Sequence, residues 1–452
     1  MALKISRILH AGYSFECERT HILFDPIFET PFSRNCFAFP NVVFDTAQIR
    51  ELKFDAVFIS HYHDDHCSLE SLAFLNRETP IYIFCVHNEM LEIIRSLGFL
   101  NVMSLQLNET VETGSIRVTT LPALDVDVDS IFHIQTDGLN ILNVVDSWID
   151  HDTVSKLKQR GPWDMILWPF QTMREIEVLS PSRFKNQPIE FPFEWLEQIQ
   201  SLNPKIVVPS SCQFIHESWS WYNHAFFPIT YRRFENEIKA ILPQTQVLRL
   251  NPGVSIALDK HSFHMSSRLG WVKPIGNQDV DYEYHPEAVI PTTAQIATQI
   301  APINKAENDR VFTYCMDELP NVYAQLYPHD HDYDVGYFGQ PRLWRLNLYD
   351  HLGHVRTLDY KIQGRRITRI AAHTDKTAWL TEVPVAKLYA ALEWGESLTS
   401  MYMRINDIQF EPDCETDLAD ADVFEDPLVR CLFNGVFGAY QKAQLKRIFG
   451  KA

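Results

Sequence analysis

The sequence contains no long uninterrupted run of apolar residues. No stretch approaches the roughly 20 apolar residues that a helix needs to cross a bilayer. The first residues, MALKISRILHAGYSFECERTH, also lack the apolar core of a signal peptide. We therefore expect no membrane as a partner and a cytoplasmic location.

Several motifs that indicate other kinds of chemistry are absent. The eight cysteines form no Cys-x-x-Cys pair, and without a secretion signal they are expected to be free thiols. The sequence has no Walker loop, no Gly-x-Ser-x-Gly elbow and no Gly-x-Gly-x-x-Gly run. These absences argue against phosphate-loop, serine-hydrolase and dinucleotide chemistry.

Basic residues are too few to balance the acidic ones. Lysine and arginine total 40 against 58 aspartates and glutamates, which gives a formal net charge of -18. Because this charge repels phosphate backbones, we expect no nucleic-acid partner. A small-molecule substrate is the partner that we expect instead.

The chain of 452 residues is long enough for two domains. In its first half, strand-like runs such as THILFDPIF, DAVFIS and TPIYIFCV alternate with helical patterns such as SLESLAFLN and HNEMLEIIRSLGF. Ser68 is placed to cap the first of these helices, and QVLRLNPGVSIALD is interpreted as a closing hairpin. The repeated alternation predicts an α/β fold with two sheets between outer helices, an αββα sandwich.

The character of the sequence changes after residue 260. Residues 261–310 are irregular and polar, which is typical of a linker or excursion. Residues 311–452 mix aromatic, strand-like and helical segments. We predict a first domain over 1–260, a linker over 261–310, and an appended mixed α+β C-terminal domain over 311–452. Its segment YPHDHDYD, with His329 and His331, is interpreted as an exposed polar loop rather than a metal site.

The densest group of metal-ligand side chains directly follows a predicted buried strand. In AVFISHYHDDHCS, residues 56–68, three histidines and two aspartates lie within six residues. Imidazole and carboxylate are the usual protein ligands of Zn²⁺ and of Fe or Mn. A chance cluster in a polar loop is the alternative, which the position after a buried strand disfavours.

This His-x-His-x-Asp-His string at the end of a strand resembles the metallo-β-lactamase superfamily. ILHAGYSFECERTHILFDPIF is similar to the opening hairpin of that family, ILNVVDSW to the strand that presents a bridging aspartate, and KIVVPSSCQF to the late strand that normally ends in a histidine. The resemblance covers about residues 1–260. It implies that His61 and His63 bind a first metal ion and that Asp65 and His66 bind a second. It also implies that Asp146 bridges the two ions. It also implies that Asp65 accepts a proton during catalysis.

The sequence departs from the family pattern at two points. In LPALDVDVDS, Asp125 stands about where the family has a histidine, and an aspartate ligand would favour a harder metal such as Fe or Mn. A solvated turn carboxylate is the alternative for Asp125. Residues 210–212, Ser-Ser-Cys, stand where the late strand should end in histidine. His216 or His224 could complete the metal shell instead, although each is also typical of a core or surface histidine.

Three functions are compatible with these residues. The first, which we favour, is a hydrolase with one or two Zn²⁺ ions whose metal-bound hydroxide attacks an ester, lactone, amide or phosphodiester. The second is an iron-dependent oxygenase. LEWGESLTSMYMRI and the missing late histidine are similar to CMP-N-acetylneuraminate hydroxylase-like proteins, but the chain lacks the ligand pairs of a Rieske centre and would need an external reductant. The third is a non-catalytic member of the fold.

Overall fold

The computed structural model describes residues 2–182, 190–285, 287, 289–326, 337–371, 377–407, 425–434 and 439–450. Two large mixed sheets occupy its first part. The first sheet has eight strands, in spatial order Phe263–Ser266, Ser255–Leu258, Leu3–Arg7, Tyr13–Cys17, Thr20–Phe24, Ala56–Ile59, Ile81–Phe84 and Val102–Leu105. The second sheet has seven, in the order Gln246–Val247, Ile206–Ser210, Met165–Pro169, Leu139–Asn143, Ser130–Thr136, Ile116–Pro122 and Thr110–Thr113.

The two sheets pack face to face through apolar side chains. Phe24 and Phe58 of the first sheet lie 5.3 Å and 6.2 Å, respectively, from Phe132 of the second sheet, measured between ring centroids. Helices cover the outer faces and bury a second apolar layer there. All four residues of Ala56–Ile59 are buried, as a strand covered on both faces requires. The predicted αββα sandwich is therefore confirmed.

The helices that cover the sandwich are short and mostly amphipathic. Ser68 caps the helix Leu69–Leu72, as predicted, because its side chain accepts a hydrogen bond from the backbone N–H of Ser71. Among the described residues, none of the helices is long and apolar enough to cross a membrane. The helices of the first part are Thr46–Glu51, Leu69–Leu72, Asn88–Arg95, His151–Arg160, Glu175–Leu179, Phe193–Leu202, Tyr222–Ala225 and Tyr231–Ile241.

The two strands of QVLRLNPGVSIALD do not pair with each other. Gln246–Val247 lies parallel to Ile206–Ser210 in the second sheet, whereas Ser255–Leu258 lies antiparallel to Leu3–Arg7 in the first. The predicted closing hairpin is therefore wrong. The turn between the two strands carries the chain from one sheet to the other, and apolar periodicity alone does not identify the sheet that a strand joins.

Residues 261–310 contain more regular structure than a linker. Phe263–Ser266 extends the first sheet, and Val272–Pro274 pairs with Val42–Phe44. Two helices follow, Thr293–Ala297 and Lys305–Thr313. This part of the chain is polar because its strands lie at edges, so composition conceals its pairing. The domain boundaries at residues 260 and 310 stay predictions.

The C-terminal part forms a separate mixed α+β unit with its own core. Trp344 stacks on Tyr360 with ring centroids 4.8 Å apart, and both side chains are buried. Its five-stranded sheet has the order Arg366–Ile370, Val355–Gln363, Arg342–Tyr349, Trp379–Pro384 and Arg404–Ile405. Its helical segments are Tyr314–Glu318, Leu319–Gln325, Tyr337–Gly339, Val385–Trp394, Thr399–Met401, Pro427–Val429, Arg430–Asn434 and Ala439–Phe449. The predicted appended domain is confirmed as a C-terminal α+β unit.

The last helix of this unit supports residues 60–68, which we call the histidine loop. Gln441 Nε2 donates to the carbonyl oxygen of Tyr62 at 2.6 Å, and Gln444 Oε1 accepts from the backbone N–H of Leu69 at 2.9 Å. Both glutamines are 3% exposed. The C-terminal unit therefore fixes backbone groups within and directly after the histidine loop.

Glu29 makes the stability of this region depend on pH. The hydroxyls of Ser68 and Ser71 donate to its carboxylate, but burial outweighs these bonds and raises the pKa of Glu29 to about 7. Because the folded protein then holds this proton more tightly than the unfolded chain, its contribution to stability is full below pH of about 4.5 and is lost as pH rises toward 7. We expect Glu29→Gln to remove that loss, so that its urea midpoint exceeds the wild-type midpoint at pH 8 more than at pH 5.

The control for this prediction is Glu51→Gln, since Glu51 is exposed. Its midpoint should follow that of the wild type at both pH values. Parallel pH dependence in Glu29→Gln and the wild type would contradict the assigned role of Glu29.

Candidate metal centre

Strands from both sheets bring the site together at one end of the sandwich. The histidine loop leaves the buried strand Ala56–Ile59, which lies parallel between Thr20–Phe24 and Ile81–Phe84. Asp146 follows Leu139–Asn143 of the second sheet. Because ligand sites of α/β proteins lie where the chain leaves the carboxyl ends of parallel strands, this end of the sandwich is the expected place for a site.

Four side chains converge at the centre of this site. His66 Nε2 lies 2.9 Å from Asp146 Oδ2 and 3.7 Å from Asp65 Oδ2. His10 Nε2 lies 3.2 Å from both Asp65 Oδ2 and His66 Nε2. The ligand-type atoms of these four residues, which we call the central group, all lie within 4.8 Å of one another. The structure thus brings together three of the predicted ligands and one residue that was not predicted.

A buried carboxylate sets the protonation of His66. Asp25 is 0% exposed, and its carboxylate accepts from Ser60 N and Ser60 Oγ and lies 3.0 Å from His66 Nδ1. Because a carboxylate only accepts, His66 Nδ1 donates to it. The Nε2 atom of His66 therefore faces Asp146, as in the carboxylate–histidine pairs that orient metal ligands.

The contact between His66 and Asp146 requires a cation. Two acceptor atoms 2.9 Å apart repel each other, so either a proton or a metal ion has to compensate them. Without metal, burial opposes a charge on His66, but Asp146 and Asp65 outweigh this effect and raise the pKa of His66 well above its usual value. Burial likewise opposes charge on Asp146, yet the contact with His66 holds the pKa of Asp146 below its usual range. The donor set fits a divalent ion that replaces this proton.

His61 and His63 lie beside the central group. The ring centroid of His61 is 4.0 Å from that of His66 and 4.6 Å from that of His63. Ser60 Oγ donates to Asp25, so at 2.9 Å it accepts from His61 Nδ1, which leaves Nε2 of His61 as a free acceptor. Burial and the neighbouring histidine charges lower the pKa of His61 well below its usual value. His61 is therefore neutral, the state that binds metal.

His10 has the opposite hydrogen-bond arrangement. Its Nδ1 accepts from the backbone N–H of Cys212 at 3.0 Å, so a neutral ring carries its hydrogen on Nε2. That hydrogen points toward Asp65 Oδ2, and His10 is a donor to this carboxylate rather than a ligand. Ser211 and Cys212 adopt φ values of 62° and 47° to aim this N–H. Two features of the sequence relate to this contact: Ser-Ser-Cys at residues 210–212 in place of a histidine, and His10 directly before Ala-Gly. Neither of them alone predicts that His10 contacts Cys212.

The structure places Asp129, rather than Asp125, against the histidines. Asp125 is exposed and organises a turn, in which its carbonyl oxygen accepts from the backbone N–H of Asp129 at 2.8 Å. Asp129 Oδ1 lies 3.8 Å from His61 Nδ1. Burial and the nearby Asp146 charge raise the pKa of Asp129 to about 6. The alternative interpretation of Asp125, a turn carboxylate, describes its position.

The two candidate late histidines lie away from the central group. His216 is buried among Phe214, Phe226 and Phe227, and burial lowers its pKa to about 3. His224 lies near two other residues that are described below. His329 and His331, considered in the C-terminal part, lie outside the described residues.

The surroundings of the site are rich in carboxylates. Desolvation and the Asp65 charge raise the pKa of Glu175 to about 7. Burial and the same charge raise the pKa of Asp64 to about 6. Asp64 lies within the histidine loop but was given no role, and Glu175 was not predicted because nothing in the sequence relates it to that loop. Such an excess of negative charge favours the binding of cations.

Comparison with known proteins gives one family match. Residues 4–211 match the family model described as the beta-lactamase superfamily domain. A search of curated proteins finds no match to the chain.

Several solved structures are similar to the chain at low sequence identity. Igni18, a metallo hydrolase from Ignicoccus hospitalis, is 16% identical with a TM-score of 0.40, over 57% of this chain and 99% of its own. CmlA, a diiron β-hydroxylase from Streptomyces venezuelae, is 17% identical with a TM-score of 0.41, over 57% of this chain and 53% of its own. An isothiocyanate hydrolase from Delia radicum gut bacteria is 15% identical with a TM-score of 0.40, over 56% of this chain and 99% of its own.

Proposed function

Residues 4–211 belong to the beta-lactamase superfamily, and on that premise we propose that the protein is a metal-dependent hydrolase of a small molecule. The substrate bond would be an ester, lactone, amide or phosphodiester. The observation that carries the proposal is the convergence of Asp65, His66 and Asp146, in which His66 Nε2 lies 2.9 Å from Asp146 Oδ2 and 3.7 Å from Asp65 Oδ2.

The proposed ligands form two neighbouring sets. Asp65, His66 and Asp146 would hold one ion, for which Zn²⁺ is the first choice given imidazole and carboxylate donors. A second ion would use the adjacent pair His61 and His63. Asp146 is the proposed bridge between the two ions.

The residues of this chain prepare the site for hydrolysis. When bound, the ion supplies a Lewis acid that makes water more acidic and polarises a carbonyl or phosphoryl oxygen. Asp65 is the proposed acceptor of the proton that the attacking water loses. His10 holds Asp65 Oδ2 with a hydrogen bond of 3.2 Å, so the other oxygen of Asp65 is the one available for that proton. Asp25 keeps the His66 ring in place from the opposite side.

Elemental analysis of the full chain, purified without chelators, tests the proposal. We expect the wild type to hold at least about one Zn²⁺ per chain more than His66→Phe does, and the control His261→Phe to hold as much as the wild type, since His261 is exposed. The same preparations are assayed on an aryl ester, a lactone, an anilide and an aryl phosphodiester. Absence of metal from the wild type, or hydrolysis that survives both chelation and His66→Phe, would count against the hydrolase.

An iron-dependent oxygenase is the second candidate, and the carboxylates favour it. Asp65 and Asp146 in the central group, with Asp129 and Glu175 nearby, make a harder donor set than histidines alone, and harder donors suit Fe or Mn. This function predicts bound iron and oxygen consumption that depends on an added reductant. Zinc as the sole bound metal would exclude it.

A further inference from the structure

We propose that His224, Glu283 and His285 form a second site for a divalent transition metal ion, with Zn²⁺ as the ion to test. Their ligand-type atoms lie within 4.8 Å of one another. The rings of His224 and His285 have centroids 4.9 Å apart, and Glu283 Oε2 lies 3.8 Å from His285 Nε2. Two imidazoles and one carboxylate that converge in this way are a frequent ligand set for Zn²⁺ and related ions. This outer site shares no residue with the central group.

The imidazole of His224 has no other hydrogen-bond role in the described part of the chain. Its Nδ1 atom is buried without a partner, and its ring lies against that of His285. A buried polar atom that lacks a hydrogen bond costs roughly 1–3 kcal/mol. The ring of His224 is therefore free of competing hydrogen bonds and available to an ion.

The backbone holds the two halves of the outer site together before any ion binds. His224 belongs to the short helix Tyr222–Ala225, and its carbonyl oxygen accepts from the backbone N–H of His285 at 2.8 Å. Just before Glu283, the carboxylate of Asp281 accepts from the backbone N–H of Tyr231 at 2.7 Å. Ligands whose backbone is already anchored lose little entropy on binding.

A side-chain contact anchors Tyr284, which lies between the ligands Glu283 and His285. Arg174 Nη1 donates to the hydroxyl oxygen of Tyr284 at 3.3 Å, so the chain is fixed on both sides of Glu283. An ion on the three ligands would join the helix Tyr222–Ala225 to this segment. Because Glu283 and His285 are exposed, water would fill the remaining coordination positions and the ion would exchange with the medium.

The test measures Zn²⁺ binding by the full chain in equilibrium dialysis. Wild type, His285→Ala and Glu283→Gln are compared with the control His264→Ala, which alters an exposed histidine outside both sites. We expect His285→Ala and Glu283→Gln each to lose one equivalent of Zn²⁺ or to bind it at least about tenfold more weakly. The control should bind as the wild type does. Equal thermal midpoints in EDTA would establish that the variants fold normally.

The variant Asp146→Asn distinguishes a failure of the outer site from a failure of the metal centre proposed for hydrolysis. We expect Asp146→Asn to keep the equivalent of Zn²⁺ that His285→Ala removes. If Asp146→Asn alone abolishes all binding, or if His285→Ala and Glu283→Gln bind as the wild type does, the outer site is overturned. If His285→Ala loses an equivalent and Asp146→Asn loses none, the outer site stands and the metal centre proposed for hydrolysis fails.

Discussion

Replacing Asp146 with asparagine is expected to abolish hydrolysis and to release the ion of the central group. Asparagine keeps the size of the side chain but removes the negative charge that faces His66 Nε2 at 2.9 Å. Loss of an outer partner of a metal ligand costs about 10–100-fold in metal affinity or activity, so loss of a ligand should cost more. Steady-state kinetics and elemental analysis on the same preparation measure both effects.

The variant His10→Phe tests whether His10 positions Asp65 or binds the metal ion itself. Phenylalanine keeps a flat ring but removes the hydrogen bond to Asp65. We expect kcat/KM to fall about 10–100-fold while the metal content stays at the wild-type value. His10→Gln, which restores an N–H donor, should recover part of the activity. A drop in metal content in His10→Phe would show that His10 is a ligand, contrary to the tautomer deduced from the Cys212 contact.

Replacing Asp25 with alanine is expected to lower the free energy of unfolding by about 3–5 kcal/mol, the usual cost of removing one partner from a buried charged pair. Asp25 is 0% exposed and accepts bonds of 2.8 Å and 2.7 Å from Ser60. Alanine would leave these donors and His66 Nδ1 buried without a partner. Urea unfolding in EDTA measures the effect without any contribution from bound metal.

Asp55→Ala provides the matched control. Asp55 is also an aspartate that accepts from a backbone N–H, that of His21 at 2.7 Å, but it is exposed. Its replacement should cost about 1 kcal/mol or less. Equal losses in the two variants would mean that the Asp25 network contributes little to stability.

Local features of the fold follow from the sequence. The apolar run before the histidine loop is the strand Ala56–Ile59, and Ser68 caps the next helix. The turn at Asp137 and Gly138 has φ values of 44° and 72°, as a type I′ hairpin requires. Each of these features depends on residues close together in the chain, where propensity and capping decide the outcome.

The parts of the site that depend on distant residues were not predictable. His10 and Cys212 are 202 positions apart, and their bond depends on left-handed backbone at residues 211 and 212 that propensity does not indicate. The position of Asp125 in LPALDVDVDS predicts it as a ligand, and nothing in that segment points to Asp129. The turn leaves Asp125 exposed and places Asp129 Oδ1 3.8 Å from His61 Nδ1, a difference that spacing along the chain does not indicate.

The hydrogen bond between Gln441 and Tyr62 has a consequence for the biogenesis of the protein. The two residues are 379 positions apart, so a ribosome that adds about 5–20 residues per second makes the histidine loop roughly 20–75 s before the glutamine that steadies it. During that interval the nascent first domain presents its ligands on an unsupported loop. Metal acquisition is therefore expected to be a late, post-translational step, and a message truncated before codon 439 would yield chains with every proposed ligand of the central group but an inefficient capture of the ion.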